Sequence, residues 1–177
     1  MELYSEHKPD LKQSLNEIMD RYGTELSILA FSYVKDIEEA KDIVQNVFVK
    51  CYTHLHSFQG NSSLKTWLYR ITINECKDYL KSSYFKKIIL GGHVKENSTH
   101  ITPETVLLKK AENEQVIAAI MGLGKKYREV TILRYIHHLE VKEIADVLGL
   151  SAETVKTRIR RAKMKLLPNV KEDLLYE

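Results

Sequence analysis

The sequence predicts an all-α protein of two small helical domains joined by a flexible linker. Three observations predict it. Apolar residues recur at helical spacing along most of the chain. No stretch of useful length alternates apolar and polar residues as a strand would. Only 7 Gly and 3 Pro interrupt 177 residues, and an all-helical chain needs few turns. With 44% hydrophobic residues, the chain is long enough for one core or two small ones.

The first expected helix spans about 9–34, with Leu11, Leu15, Ile18, Tyr22, Leu26 and Leu29 at helical spacing. A second covers 36–55, where Ala40, Ile43, Val44, Val47, Phe48 and Cys51 form one apolar stripe. Residues 57–62 read as a turn, and Ser62 or Ser63 caps the next helix. That helix turns Leu64, Trp67, Leu68 and Ile71 inward, with Trp67 as a core residue. Further along, Asn74, Lys77, Asp78 and Lys81 make a polar stripe.

Residues 82–104 break the pattern. Ser82-Ser83, Gly91-Gly92, Asn97-Ser98-Thr99 and Pro103 are turn and linker residues, and Lys81, Lys86, Lys87 and Lys95 make the stretch basic. The expected domains are therefore 1–82 and 105–177, with 83–104 between them. Helices resume with Val116, Ile117, Ile120 and Met121 on one face. After the break at Gly122-Leu123-Gly124, another helix runs through Val130, Leu133 and Ile136.

Residues 139–166 carry the strongest signal. A first short helix buries Val141, Ile144, Ala145 and Leu148 at i, i+3, i+4 and i+7. Gly149 suits the left-handed turn that ends it. Ser151 caps a second helix, and Glu153 in its first turn suits the helix dipole. In that helix Val155, Ile159, Ala162 and Leu166 face the core. Lys156, Thr157, Arg160, Arg161 and Met164 then point outward. From 152 to 167 six basic residues stand against one acid, Glu153. Such a helix repels itself, and phosphates relieve that through counterion release. Two amphipathic helices, a capped tight turn and a cationic second helix together form a DNA-reading helix-turn-helix.

The overall charge is only +3, with pI near 8.7, so the information lies in where the charge sits. Cys51 and Cys76 sit inside apolar patterns without a Cys or His at metal-ligand spacing, as expected of two buried thiols. His137-His138 point to different sides of a helix and read as surface residues, not a metal site. No stretch approaches the ~20 apolar residues of a membrane span. The first residues lack the basic start and apolar run of a secretory signal, so the chain is expected to stay in the cytoplasm. No phosphate-cradling glycine loop, metal cluster or nucleophile elbow marks an enzyme, and no cofactor is expected.

Together the two halves resemble a bacterial sigma factor of the extracytoplasmic-function group. Four blocks carry the resemblance. Residues 42–50, Asp-Ile-Val-Gln-Asn-Val-Phe-Val-Lys, look like the family's core-polymerase-binding helix. Residues 58–71, from Phe58 to Ile71, resemble the loop and helix that melt and hold the minus-10 element. Residues 74–80 resemble the continuation of that site, and 139–166 the domain that reads the minus-35 element.

The resemblance implies a partner, RNA polymerase core, met through Asp42, Gln45, Asn46 and Phe48. It implies that Gly60, Asn61, Ser62, Ser63 and Asn74 form the pocket for an unpaired promoter base. Lys65 and Arg70 would hold phosphates there. Lys156, Thr157, Arg160 and Arg161 would face the minus-35 groove. Arg158, Lys163 and Lys165 would touch phosphates and set position rather than sequence. It also implies an anti-sigma partner, often membrane-anchored. Two features depart from the family pattern: Asn46 stands where an acid is usual, and Leu123-Gly124 replaces Leu-Pro. A stand-alone helix-turn-helix regulator is the alternative. It explains the C-terminal motif but leaves residues 62–80 without a role.

Overall fold

The computed structural model describes residues 11–55, 58, 62–89 and 114–168; the side chains of 11–14, 84–89 and 114–115 are left undescribed. Among the described residues all regular structure is helical. The helices are α1 (Leu11–Val34), α2 (Ile37–His54), α3 (Leu64–Ile89), α4 (Glu114–Gly122), α5 (Lys125–Thr131), α6 (Val141–Leu148) and α7 (Ala152–Leu166). A π-helical turn, Ile132–Ile136, continues α5.

α1, α2 and α3 pack together as the first unit. The break between α1 and α2 falls at Lys35, held at φ 59. Asp36 then caps α2 by accepting from the backbone N–H groups of Glu38 and Glu39, at 2.9 and 3.1 Å. The predicted α2 stripe, Ala40 through Cys51, is buried throughout. It packs on Leu26 and Leu29 of α1 and on Leu68, Ile73 and Cys76 of α3, all with essentially no exposure. Lys50 pairs with Glu75, fastening the outer side of α2 to α3.

Helix α3 starts where Ser63 caps it; the Ser63 hydroxyl accepts from the Thr66 backbone N–H at 3.1 Å. It differs from expectation at its far end. It runs through Ser82-Ser83 to Ile89, past the expected domain boundary. Serine only mildly disfavours a helix, and no Gly or Pro intervenes before Gly91. The rest of the expected linker, with Lys95, lies outside the described residues.

The second unit is α4 to α7. Arg128 sits beneath the α4–α5 turn, buried, and donates to the carbonyls of Met121 and Leu123 at 3.1 and 3.2 Å. These are end-of-helix carbonyls that lack partners within the helix. Glu140 and Glu143 close a capping box at the start of α6. Gly149 ends that helix at φ 66, where a side chain would be strained. Ser151 then caps α7, accepting from the Thr154 N–H at 3.2 Å.

The two units lie against each other, α3 on α6 and α1 on α5. The Tyr33 hydroxyl donates to Glu129 at 2.9 Å, and Glu129 also pairs with Arg158 at 3.0 Å. The Tyr69 hydroxyl donates to Glu25 at 2.5 Å and lies 3.0 Å from His137 Nδ1.

The expectation that His137 is a surface residue is corrected here. Its side chain is 3% exposed, edge-on to the Tyr69 ring at 5.0 Å. The π-turn is the local reason. The His137 N–H reaches back to the Ile132 carbonyl at 3.0 Å, a five-residue step that shifts which residues face inward. His138, at φ 55, remains exposed.

Both cysteines are buried and form no disulfide. Burial pushes the Cys76 thiol up to about 12, and the Glu75 carboxylate adds to the rise. Burial, followed by Glu129 and Glu25 respectively, raises Tyr33 and Tyr69 too. Each group keeps its proton in the fold at pH values where the unfolded chain gives it up. Stability tied to Cys76 is therefore complete below its ordinary value of 9.0 and falls as pH climbs towards about 12. Urea-unfolding midpoints should drop steadily across that alkaline range. A flat profile would contradict the burial of these groups. At neutral pH the native thiols should resist alkylation, and denaturant should release both.

Candidate nucleic-acid interface

α7 is amphipathic because its sequence places small and branched apolar residues on one stripe. Val155, Ala162 and Leu166 are buried against α5 and α6, and Ile159 is half-buried. The opposite face presents Lys156, Arg160, Arg161, Met164 and Lys165 to solvent, with Thr157 half-buried beside them. Met164 is 65% exposed, costly for an apolar side chain unless something covers it. Lys156 lies 3.8 Å from Glu153, a weak exposed pair one helical turn away. Lys163 is half-buried.

Arg158 behaves differently from its neighbours. It is turned inward and paired with Glu129, an acid only 11% exposed at its side chain. The phosphate contact expected of it competes with that pair. Sequence spacing placed Arg158 among the cations but gave no sign of a partner 29 residues away.

The expected minus-10 residues lie around the start and middle of α3. Gly60 and Asn61 lie outside the described residues. Ser62 is half-buried, and Ser63 is exposed and serves as the helix cap. The Phe58 and Trp67 rings meet at 5.2 Å, tilted by 44°. Trp67 is half-buried in that contact. Asn74 is exposed.

Lys65 donates to the His137 carbonyl at 3.2 Å and lies 3.4 Å from Glu25. Arg70 donates to the Asp146 carbonyl at 3.0 Å. Both cations expected to hold phosphates thus bridge to the second unit in this arrangement.

On α2 the structure sorts the expected polymerase-binding residues by face. Asp42, Gln45 and Asn46 are exposed on one side. Phe48 is 7% exposed on the other, so it supports that surface from beneath. Val49 and Tyr52, at 63% and 45% exposure, continue the outer face and were not anticipated. The available signal was two apolar residues lying off the buried stripe.

Among the described residues no group of His, Cys, Asp and Glu is placed to hold a metal ion. No described helix is long and apolar enough to cross a membrane.

An exposed cationic helix, held on an apolar partner across a capped turn, defines a helix-turn-helix DNA-binding protein. Comparison with known proteins extends this to both halves. Residues 18–84 match Sigma-70 region 2, and residues 113–166 match Sigma-70, region 4. The chain belongs to the extracytoplasmic-function group of RNA polymerase sigma factors.

It is 31% identical over 163 residues to the RNA polymerase sigma factor YlaC of Bacillus subtilis, spanning 90% of this chain and 93% of that protein. The sigma-E factor of Escherichia coli K12 is 31% identical over 164 residues, spanning 86% and 84%. SigW of Bacillus subtilis is 29% identical over 165 residues, spanning 88% of each. Among solved structures, the sigma factor RpoE of Bartonella quintana, in complex with the anti-sigma factor NepR, superposes with a TM-score of 0.72. Its identity is 24%, and the match covers 93% of this chain and 98% of that one. That likeness shows the fold.

Proposed function

We propose that this sigma factor rides on RNA polymerase core through the outer face of α2, where Asp42, Gln45 and Asn46 are joined by Val49 and Tyr52. Phe48 holds that face in shape. The loop 60–63 with Asn74 receives an unpaired minus-10 base, and α7 reads the minus-35 duplex. Holding a base out of the stack requires the protein to offset a few kcal/mol, roughly, of unstacking and unpairing, which suits a polar pocket. Lys156, Thr157, Arg160 and Arg161 face the groove. Arg158, Lys163 and Lys165 set position on the backbone.

One observation carries the reading. α7 exposes a cationic face while its apolar face is buried, so a phosphate-lined groove can receive it without unfolding anything. Lys65 and Arg70 act on phosphates once their contacts to the His137 and Asp146 carbonyls are exchanged for DNA. That exchange goes with separation of the α1–α3 unit from the α4–α7 unit. The chain works in the cytoplasm beside the polymerase and supplies no chemistry of its own. An anti-sigma factor is a further partner, supported by the likeness to RpoE solved with NepR. The stand-alone regulator leaves the region 2 match without a role.

Run-off transcription with purified core polymerase on fragmented genomic DNA tests the reading. Transcripts sharing two spaced promoter elements are expected. Their absence, with the chain binding duplex DNA alone, would favour the regulator instead. Asn74→Ala should slow open-complex formation on duplex promoters and be partly rescued on templates already melted at minus-10. Equal defects on both templates would remove Asn74 from the pocket.

A further inference from the structure

The helix before the helix-turn-helix carries a second cationic feature that the groove-reading face does not absorb. Lys126 and Tyr127 of α5, with Glu153, Thr157, Arg158 and Arg161 of α7, line an open concavity of about 300 Å³. Cations crowd the Tyr127 ring: Lys126 Nζ lies 5.1 Å from its centroid and Lys165 Nζ 5.7 Å. Arg161, from α7, lines the same concavity as Lys126 and the Tyr127 ring, and both cations act on the Tyr127 hydroxyl electrostatically. Burial alone would push that hydroxyl up, and the two cations outweigh it, holding it below its ordinary value.

Each nearby acid has a cation of its own. Glu129 is bound by Arg158 at 3.0 Å, and Glu153, the one acid lining the concavity among the described residues, has Lys156 at 3.8 Å. Among the described residues, Lys126, Arg161 and Lys165 form no salt bridge. Two lysines on one aromatic ring, with Arg161 lining the concavity beside it, are complementary to an anion.

We propose that Lys126, Tyr127 and Arg161 form a seat for a backbone phosphodiester at the edge of the minus-35 duplex. The interface thereby extends from α7 onto α5. Tyr127 is a positioning residue: its ring carries Lys126, and its hydroxyl aims Arg161 at the same phosphate. This proposal rests on the minus-35 reading of α7. It puts Arg161 at the edge of the groove-facing set, on the backbone, and makes the seat a source of affinity and register, while Lys156 and Arg160 supply sequence discrimination.

Holoenzyme assembled from the full chain and core polymerase tests it. Binding is measured to a fluorescent promoter duplex selected by run-off transcription, over a range of KCl concentrations. Lys126→Ala should make the slope of log affinity against log salt shallower by about 1. The loss should be the same on the selected promoter and on minus-35 point variants of it. Tyr127→Phe keeps the ring but not the hydroxyl, and should weaken binding roughly two- to fivefold. Added to Arg161→Ala, Tyr127→Phe should cost nothing further, since both act on one contact.

An unchanged slope for Lys126→Ala overturns the seat. So does a loss that depends on the minus-35 sequence. Additive losses for Tyr127→Phe and Arg161→Ala overturn the positioning role. Lys156→Ala in the same assay separates the two levels. If it binds as wild type does, the minus-35 reading fails; if it loses affinity while Lys126→Ala does not, only the seat is wrong.

Discussion

Replacing Lys156 and Arg160 together by alanine is expected to abolish promoter selection while leaving polymerase binding intact. Both side chains are exposed on α7, and neither is part of the core. Alanine is the best helix former, so the helix itself should persist. A good base contact contributes about 1–3 kcal/mol, so two independent contacts contribute roughly 2–6 kcal/mol. Promoter affinity of the holoenzyme should therefore fall by roughly 30-fold or more. Affinity for non-promoter DNA should fall far less. Filter binding on promoter and scrambled duplexes, beside co-purification with core polymerase, measures both. Loss of polymerase binding together with promoter binding would remove α7 from its assigned place.

Replacing Arg128 by methionine is expected to give the largest loss of stability among single changes to a charged residue. Methionine fills much of the same space but offers no donor. The carbonyls of Met121 and Leu123 then remain buried without the guanidinium that satisfies them. Each such orphaned group costs about 1–3 kcal/mol. The turn joining α4 to α5 loosens, and with it the placement of Lys126 and Tyr127. Urea unfolding should show the midpoint falling without a change in slope. Arg128→Lys should recover part of the loss, because one donor can still reach a carbonyl. An unchanged midpoint for Arg128→Met would mean that these carbonyls find water instead.

Much of the fold was legible because helix signals are local. The α2 stripe from Ala40 to Cys51 follows from spacing alone, since one face of a regular helix must be buried. The helix-turn-helix was legible for the same reason: Gly149 and Ser151 mark the turn, and Val155, Ala162 and Leu166 mark the inner face. The family blocks added roles that periodicity cannot give. Val147, also buried on α6, was missed because it lies one step outside the counted spacing.

Other features depended on residues far apart in sequence. Ser82-Ser83 looked like a boundary, yet α3 passes through it. His137 looked like a surface residue until the π-turn rotated it inward and Tyr69, 68 residues away, covered it. Arg158 reads as one more cation of α7 in the sequence, and only the fold brings Glu129 to it. Tyr127 carries no local signal, because nothing in its neighbours' spacing announces that Lys126 and Lys165 meet on its ring with Arg161 close by.

Local order along the chain sets the helices, the capped turn and the cationic face of α7, because each depends on residues within a few positions of one another. Which cations are already engaged, and which stand open, follows from how the helices pack. Lys65, Arg70 and Arg158 spend their charge on carbonyls and a carboxylate of other elements, while Lys126, Arg160 and Arg161 do not. Charge is written in the sequence, but its partner is set by packing, since an ion pair or hydrogen bond requires atoms within a few ångströms whatever their separation along the chain.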